Sequence, residues 1–204
     1  MKFHKVIIEK IIEALVQILT TPSYADKVIE RHLKANKKWG SRDRKLFAET
    51  VYDIVRFRRK YWNLADMNDS DFLKPEKVSE FEIWKMWVVY ILDRGWQIPG
   101  WLYEDYEYIV QEIPEDLLSE GTDIQEITKT FPFQIRQSYP DWLYDYFKDQ
   151  LEDEADPLLR ALNVMATIYL RVNTLKTTPK ELVQILEKEG VNARQIRKID
   201  SALE

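Results

Sequence analysis

Apolar residues recur every three to four positions through the first 130 residues, and strict alternation replaces that rhythm only near residue 168. In residues 3–19, Val6, Ile7, Ile11, Leu15 and Ile18 fall on one face with Pro22 beyond the end, which predicts an amphipathic helix. Residues 24–36 and 41–60 predict two more. Ser41 is placed to cap the second of these, Asp43 suits the positive end of its dipole, and Leu46, Phe47, Val51, Ile54 and Val55 form its inner face as it runs towards Arg58. After a polar loop over residues 68–75, Ser79 and Glu82 make a capping box and Gly95 a left-handed stop. The helix between them is expected to turn Trp84, Trp87, Val88 and Ile91 inward. Tyr103, Tyr106 and Val110 recur at helical spacing over residues 101–111, and residues 115–126 repeat the pattern less clearly.

The carboxyl-terminal part reads differently. Tyr139-Pro140-Asp141-Trp142-Leu143 opens a helix, with Pro140 pre-set for the first turn and Trp142 and Leu143 expected as anchors into a core. Ile168, Leu170 and Val172 then alternate with Tyr169, Arg171 and Asn173, the period of a half-buried strand. Thr178-Pro179-Lys180-Glu181 supplies an N-cap, a proline at the first helical position and the carboxylate of a capping box. Leu182, Val183 and Leu186 share a face of that helix, and Gly190 ends it with Val191 folding back. Residues 196–199 predict a second strand, which a right-handed crossover would lay parallel to the first. Two strands make a poor sheet alone, so partners lie upstream or are missing.

In this order, Tyr-Pro-Asp-Trp-Leu from Tyr139, Ala161-Leu162-Asn163, Leu170-Arg171-Val172-Asn173-Thr174-Leu175-Lys176 and a helix closing on Glu189-Gly190-Val191, the motifs resemble the Fmu (Sun) or RsmB family of ribosomal RNA cytosine-C5 methyltransferases. The match covers roughly residues 138–192, and several motifs in one order are more specific than any alone. Asp43-Arg44 opening a helix that later reads Val51-Tyr52-Asp53-Ile54-Val55-Arg56 is similar to the NusB-like helical domain that begins these enzymes. The resemblance implies a mainly α protein: a NusB-like, all-α, RNA-binding bundle over residues 1–135, then a small α+β segment over residues 136–204 that in the family leads into the methyltransferase core. The domain boundary is expected near residues 130–138. It implies ribosomal RNA as partner and, for the full-length parent, S-adenosylmethionine and a catalytic cysteine that attacks the pyrimidine ring.

This chain has no cysteine and only five glycines. No catalytic residue and no cofactor site are therefore expected within it, nor methyltransferase activity from it alone. The absence of cysteine also excludes disulfides and thiolate metal sites, and suits a reducing cytoplasm. His4 and His32 are the only histidines, too few for a histidine-rich metal site. Lys2 and Lys5 before Val6-Ile7-Ile8 faintly suggest a signal peptide, but Glu9, Lys10 and Glu13 break the apolar run. The run at residues 87–92 is too short to span a bilayer, so no membrane partner is expected. Leu203-Glu204 reads equally as native sequence or as an added remnant, and the chain looks like the amino-terminal part of a longer enzyme.

The net charge of −5 conceals a division. Residues 1–60 carry 15 Lys and Arg against 7 Asp and Glu, a charge of +8; residues 61–158 carry −16 and residues 159–204 carry +3. Phosphates should meet the two basic parts. The first candidate RNA surface is Arg56, Arg58, Arg59 and Lys60 together with Lys37, Lys38, Arg42 and Arg44, the alternative being a salt-bridged or solvated helix end. Arg171 and Asn173 lie on the polar face of the predicted strand; RNA contact competes there with a structural role, Arg171 paired with a carboxylate and Asn173 ending the strand in a turn. Tyr90, Trp96, Trp101, Tyr103, Tyr106 and Tyr108 could stack on bases, but they sit among Asp93, Glu104, Asp105 and Glu107. Core packing is the better reading, with a protein-binding patch second. Glu152-Asp153-Glu154 with Asp156 reads as a solvated acidic loop rather than a magnesium site. The rival to RNA recognition is a NusB-type protein-interaction module for transcription or ribosome assembly, in which the acidic middle contacts a basic protein. A carboxyl-terminal segment short of strands is expected to be less protected or to form a dimer contact.

Overall fold

Residues 3–119, 121–164 and 166–204 are described by the computed structural model. The amino-terminal helices are α1 (Lys5–Thr20), α2 (Ala25–Ala35), α3 (Ser41–Arg56) and α4 (Arg58–Leu64). On α1 the buried stripe is Ile7, Ile8, Ile11, Ile12, Ala14, Leu15 and Leu19. Val6, expected inside, is 63% exposed, because Ile8 and Ile12 carry the stripe round the other side. Leu46, Phe47, Val51 and Ile54 of α3 are buried as expected, but Gly40 rather than Ser41 holds the N-cap position. The helix also breaks at Phe57, whose φ of −103° and ψ of 32° close α3 and open α4 in a new direction.

Helix α5 (Glu80–Asp93) is the centre of the bundle: every residue from Ile83 to Ile91 is buried, so it has no solvent face over two turns. Its capping box of Ser79 and Glu82 is formed. At its other end Gly95 takes φ +67°, while Gly95 N–H bonds Leu92 O and Trp96 N–H bonds Ile91 O, a Schellman close. Helices α1, α3 and α4 pack on α5, and burying each of its large side chains contributes about 1.5–3 kcal/mol. The helix expected over residues 101–111 is two, α6 (Gly100–Asp105) and α7 (Glu107–Val110), split at Tyr106, whose hydroxyl turns back to donate to Glu9 Oε1 at 3.0 Å. Short helices α8 (Glu115–Leu118), α9 (Ile124–Lys129) and α10 (Phe133–Arg136) follow, then α11 (Asp141–Leu151) and α12 (Ala155–Leu162). On α11 the expected anchor Trp142 is 68% exposed. Leu143 takes the inner side as expected, joined by Tyr144 and Phe147, with Tyr144 stacked on Phe133 at 5.5 Å.

The chain divides into two compact units, one ending at Arg160 and one spanning Ala161–Glu204. The second holds β1 (Leu170–Arg171), α13 (Pro179–Lys188) and β2 (Ala202–Leu203). Thr178 and Glu181 form the capping box of α13, and Gly190 at φ +78° closes it with Val191 N–H bonded to Leu186 O. The expected parallel neighbour of β1 is not there. Residues 196–199 form a turn, and the chain comes back so that β2 pairs antiparallel with β1, Leu170 opposite Leu203 and Arg171 opposite Ala202. Residues 194–196 pair in turn with 202–204 on the far side of β2. They therefore run parallel to β1 with one strand between, the split β-α-β arrangement of ferredoxin-like folds. The crossover had the direction right and the neighbour wrong. Leu203 is fully buried in this sheet and Glu204 exchanges both backbone hydrogen bonds with Arg194. The whole is mainly α with a small α+β segment, and among the described residues no helix is long and apolar enough to cross a membrane.

Candidate nucleic-acid interface

The basic residues of the amino-terminal stretch separate into two groups with different fates. Around the α2 to α3 connection, Asn36 closes α2 by donating from Nδ2 to His32 O at 2.8 Å, and Trp39 packs 5.1 Å from Phe47. Arg44 Nη1 donates to Leu33 O at 3.0 Å, which ties the start of α3 to the end of α2. That tie engages part of Arg44 in the hairpin itself. Lys37, Lys38 and Arg42 stand exposed on the same connection.

At the α3 to α4 break the cations turn inward. Arg59 is 2% exposed and uses its N–H donors on two carboxylates and a carbonyl: Nε and Nη2 on Asp69 at 2.8 and 2.5 Å, Nη1 on Tyr139 O and Asp141 at 2.7 Å, Nη2 again on Asp141 at 3.2 Å. Its guanidinium is not presented to a ligand, and the hydrogen bonds to Asp69 and Asp141 push its pKa upward. Lys60 donates to Asp93 at 2.7 Å from a largely buried side chain. Arg58 leaves Nε and Nη2 buried without a partner beside the Trp62 ring at 6.0 Å, and burial lowers it to about 10. Of the run Arg56, Arg58, Arg59 and Lys60, only Arg56 is exposed. Arg58 follows Phe47, Val51 and Ile54 at helical spacing and falls on the buried face, while Arg59 and Lys60 are drawn in after the break at Phe57 by their carboxylate partners.

In the second unit Arg171 is exposed on β1, whereas Asn173 ends the strand: its Oδ1 accepts from Leu175 N–H at 3.1 Å and its carbonyl from Lys176 N–H at 2.9 Å. Asn173 thus takes the turn role. Val172 between them is the inward residue, while Ile168 is 77% exposed, because the paired part of the strand begins only at Leu170.

The aromatic residues divide as well. Tyr90 is 2% exposed, and Trp101 donates to Phe3 O at 3.0 Å within a cluster of Trp84, Trp87 and Tyr106, which is core packing. Tyr103 and Tyr108 are half exposed beside Glu104 and Glu107. Asp156 accepts from Tyr144 at 3.2 Å and faces Lys148 at 3.7 Å. No group of three or more His, Asp or Glu among the described residues is placed to hold a metal ion.

Residues 139–204 match the family model of the Methyltr_RsmF/B-like, ferredoxin-like domain. A solved structure titled "Crystal Structure of PH0851" is similar in fold at a TM-score of 0.55 and 16% identity, over 100% of this chain and 48% of that one. The chain spans about half the length of that protein. No curated protein matches.

Proposed function

We propose, from the premise that residues 139–204 belong to the RsmF/B-like methyltransferase family, that this chain recognises ribosomal RNA and helps present a cytosine for methylation at C5. The observation that carries the reading is the exposure of Lys37, Lys38 and Arg42 on one helical connection, in a stretch of charge +8 whose other cations are partly engaged inside the fold. Phosphates release counterions on meeting such a surface, which gives affinity without sequence preference. In this reading S-adenosylmethionine supplies the methyl group in the cytoplasm. This chain carries no cysteine to attack the base and only five glycines, so neither the nucleophile nor the methyl donor is placed on it in this reading. No step of methyl transfer is assigned to its residues. Their part is positional, because binding energy gained away from the reacting base orients that base. Arg171, exposed on β1, is a second phosphate contact.

Exposed Tyr103 and Tyr108 beside Glu104 and Glu107 favour a second reading, a patch for a basic protein. Electrophoretic binding of structured ribosomal RNA fragments, repeated across salt, separates the two. A retarded complex whose affinity falls linearly in log–log salt supports RNA recognition; no complex at low salt overturns it and leaves the protein patch.

A further inference from the structure

A cavity of about 600 Å³ in the first unit lies where α3 meets the end of α5 and is lined by Arg42, Lys45, Leu46, Thr50, Tyr90 and Trp96, with Asp43 and Glu49 alongside. Its volume is within the roughly 300–1,000 Å³ of small-molecule sites. Three features of the lining belong together. Leu46, Tyr90 and Trp96 make an apolar wall; Trp96 is half-buried, tilted against Phe3 at 5.6 Å and edge-on to Tyr90 at 6.0 Å. Thr50 is 1% exposed; its buried Oγ1 faces the hydroxyl of Tyr90 without completing a hydrogen bond of good geometry, while Tyr90 donates to Asp53 at 3.2 Å. A buried hydroxyl held by one poorly aligned neighbour keeps capacity for a better-placed partner. Arg42 and Lys45 are exposed, and Lys45 has only a loose contact of 3.8 Å with Glu49.

We propose that this cavity takes one unpaired nucleotide of the bound RNA, base inward and phosphate outward. The inference rests on the RNA reading above and names the part of the RNA that the site holds. A base has the flat apolar face that Trp96 and Leu46 accept, and a polar edge that offers the Thr50 hydroxyl a better-aligned partner than Tyr90. Its phosphate meets Arg42 and Lys45, where a guanidinium fits two oxygens at once. The carboxylates of Asp43 and Glu49 argue against a polyanion lying flat across the opening, but they accept hydrogen bonds from base amino groups. A single inserted nucleotide reconciles both signs of charge. Along the sequence Trp96 lies between Asp93 and the acidic run that begins at Glu104; folding sets it against the first turn of α3, which carries Arg42.

The test is titration of the full chain with adenosine monophosphate, with ribose 5-phosphate, and with an RNA hairpin carrying an unpaired loop, read by the indole signal of Trp96. Adenosine monophosphate is expected to shift that signal saturably and ribose 5-phosphate to leave it unmoved, with the hairpin competing for the site. Thr50→Val, which keeps shape and removes the hydroxyl, is expected to weaken the nucleotide about five-fold or more. Trp96→Ala, folded by circular dichroism and titrated by calorimetry because the indole reporter is gone, is expected to weaken it about ten-fold. Equal shifts from ribose 5-phosphate overturn the proposal in favour of a simple anion site. Hairpin binding unchanged by Thr50→Val and silent at Trp96 overturns the cavity and leaves RNA recognition standing. Nucleotide binding without any hairpin binding overturns both the RNA reading and the proposal that rests on it.

Discussion

Asp141 accepts a hydrogen bond from Arg59 Nη1 at 2.7 Å across 82 residues of chain, and the same guanidinium nitrogen holds the carbonyl of Tyr139 at 2.7 Å. Beside them Lys60 N–H, an unpaired donor in the first turn of α4, finds the Ser138 hydroxyl at 3.0 Å. Ser138 has φ of +59°, an unusual conformation for serine, and its hydroxyl serves as a cap from far along the chain. The segment where the family match begins is therefore fastened to the first turn of α4 by one arginine and one serine.

Arg59 is expected to matter for stability rather than for RNA. Arg59 is buried but its carboxylate partners are partly solvated, so Arg59→Ala should cost about 1.5–3 kcal/mol, and Arg59→Lys should recover little of it because an ammonium cannot supply donors in a planar fork. Asp141 is 62% exposed at its side chain, so Asp141→Asn should cost about 1 kcal/mol or less. Urea unfolding of the Arg59→Ala, Arg59→Lys and Asp141→Asn variants checks this order. Arg59→Lys as stable as the parent would remove the fastening role.

His32 gives the pH dependence. It is 8% exposed and stacked on Phe47 at 5.3 Å, and burial lowers its pKa below 6.5 against the opposing pull of Glu13. A position in the last turn of α2 favours a cation through the dipole, but burial outweighs it. Because the folded pKa is depressed, the unfolded chain takes up the proton first, so stability is complete above about pH 6.5 and falls as the pH drops towards the folded value. Unfolding at about pH 7.5 and about pH 5.5, either side of the unfolded pKa, should show this loss in the parent. His32→Phe should flatten it over that window.

The amino-terminal elements were legible where local signals and periodicity agreed. Ser79 with Glu82 and Thr178 with Glu181 announced two helix starts, and Gly95 and Gly190 two ends, because capping chemistry is contained within a few residues. The break at Phe57 carries no proline or glycine, so nothing nearby in the sequence marked it. Missing it placed Arg59 and Lys60 on the surface, whereas Arg58 continues the buried spacing of Phe47, Val51 and Ile54 and was set outside by its charge alone. The carboxylate partners Asp69 and Asp141 of Arg59 and Asp93 of Lys60 lie 10, 82 and 33 residues away from the cations they hold, beyond the reach of any local rule. Likewise β2 sits between β1 and residues 194–196 because a polar turn reverses the chain, and alternation alone does not fix which strand becomes the neighbour.

Reversing Lys37, Lys38 and Arg42 to Glu should weaken RNA binding and flatten its salt dependence by about one unit of log–log slope for each phosphate no longer neutralised. Reversing Glu104 and Glu107 to Lys should not weaken it. Filter binding at several salt concentrations supplies both slopes. Equal weakening by the two sets, with the fold intact by circular dichroism, would take the interface away from the α2 to α3 connection.

Protection from hydrogen exchange should differ between the two units. Among the described residues of the second unit only Val172 and Leu203 are buried hydrophobics, while α3 alone buries Leu46, Phe47, Val51 and Ile54. Opening β1 and β2 therefore exposes little apolar surface, and exchange there is expected at a free energy well below that of global unfolding. Local signals hold the segment more than burial does, so Thr178→Ala, worth about 1 kcal/mol at an N-cap, should speed exchange throughout α13 and leave α3 unchanged. Sedimentation must accompany the measurement, since Ile168, Leu175 and Ile199 are exposed and a second copy covering them would raise protection with concentration. Protection over residues 168–199 equal to that of α3, in a protein that stays monomeric, would show that two buried side chains and two caps suffice, and would contradict the expectation.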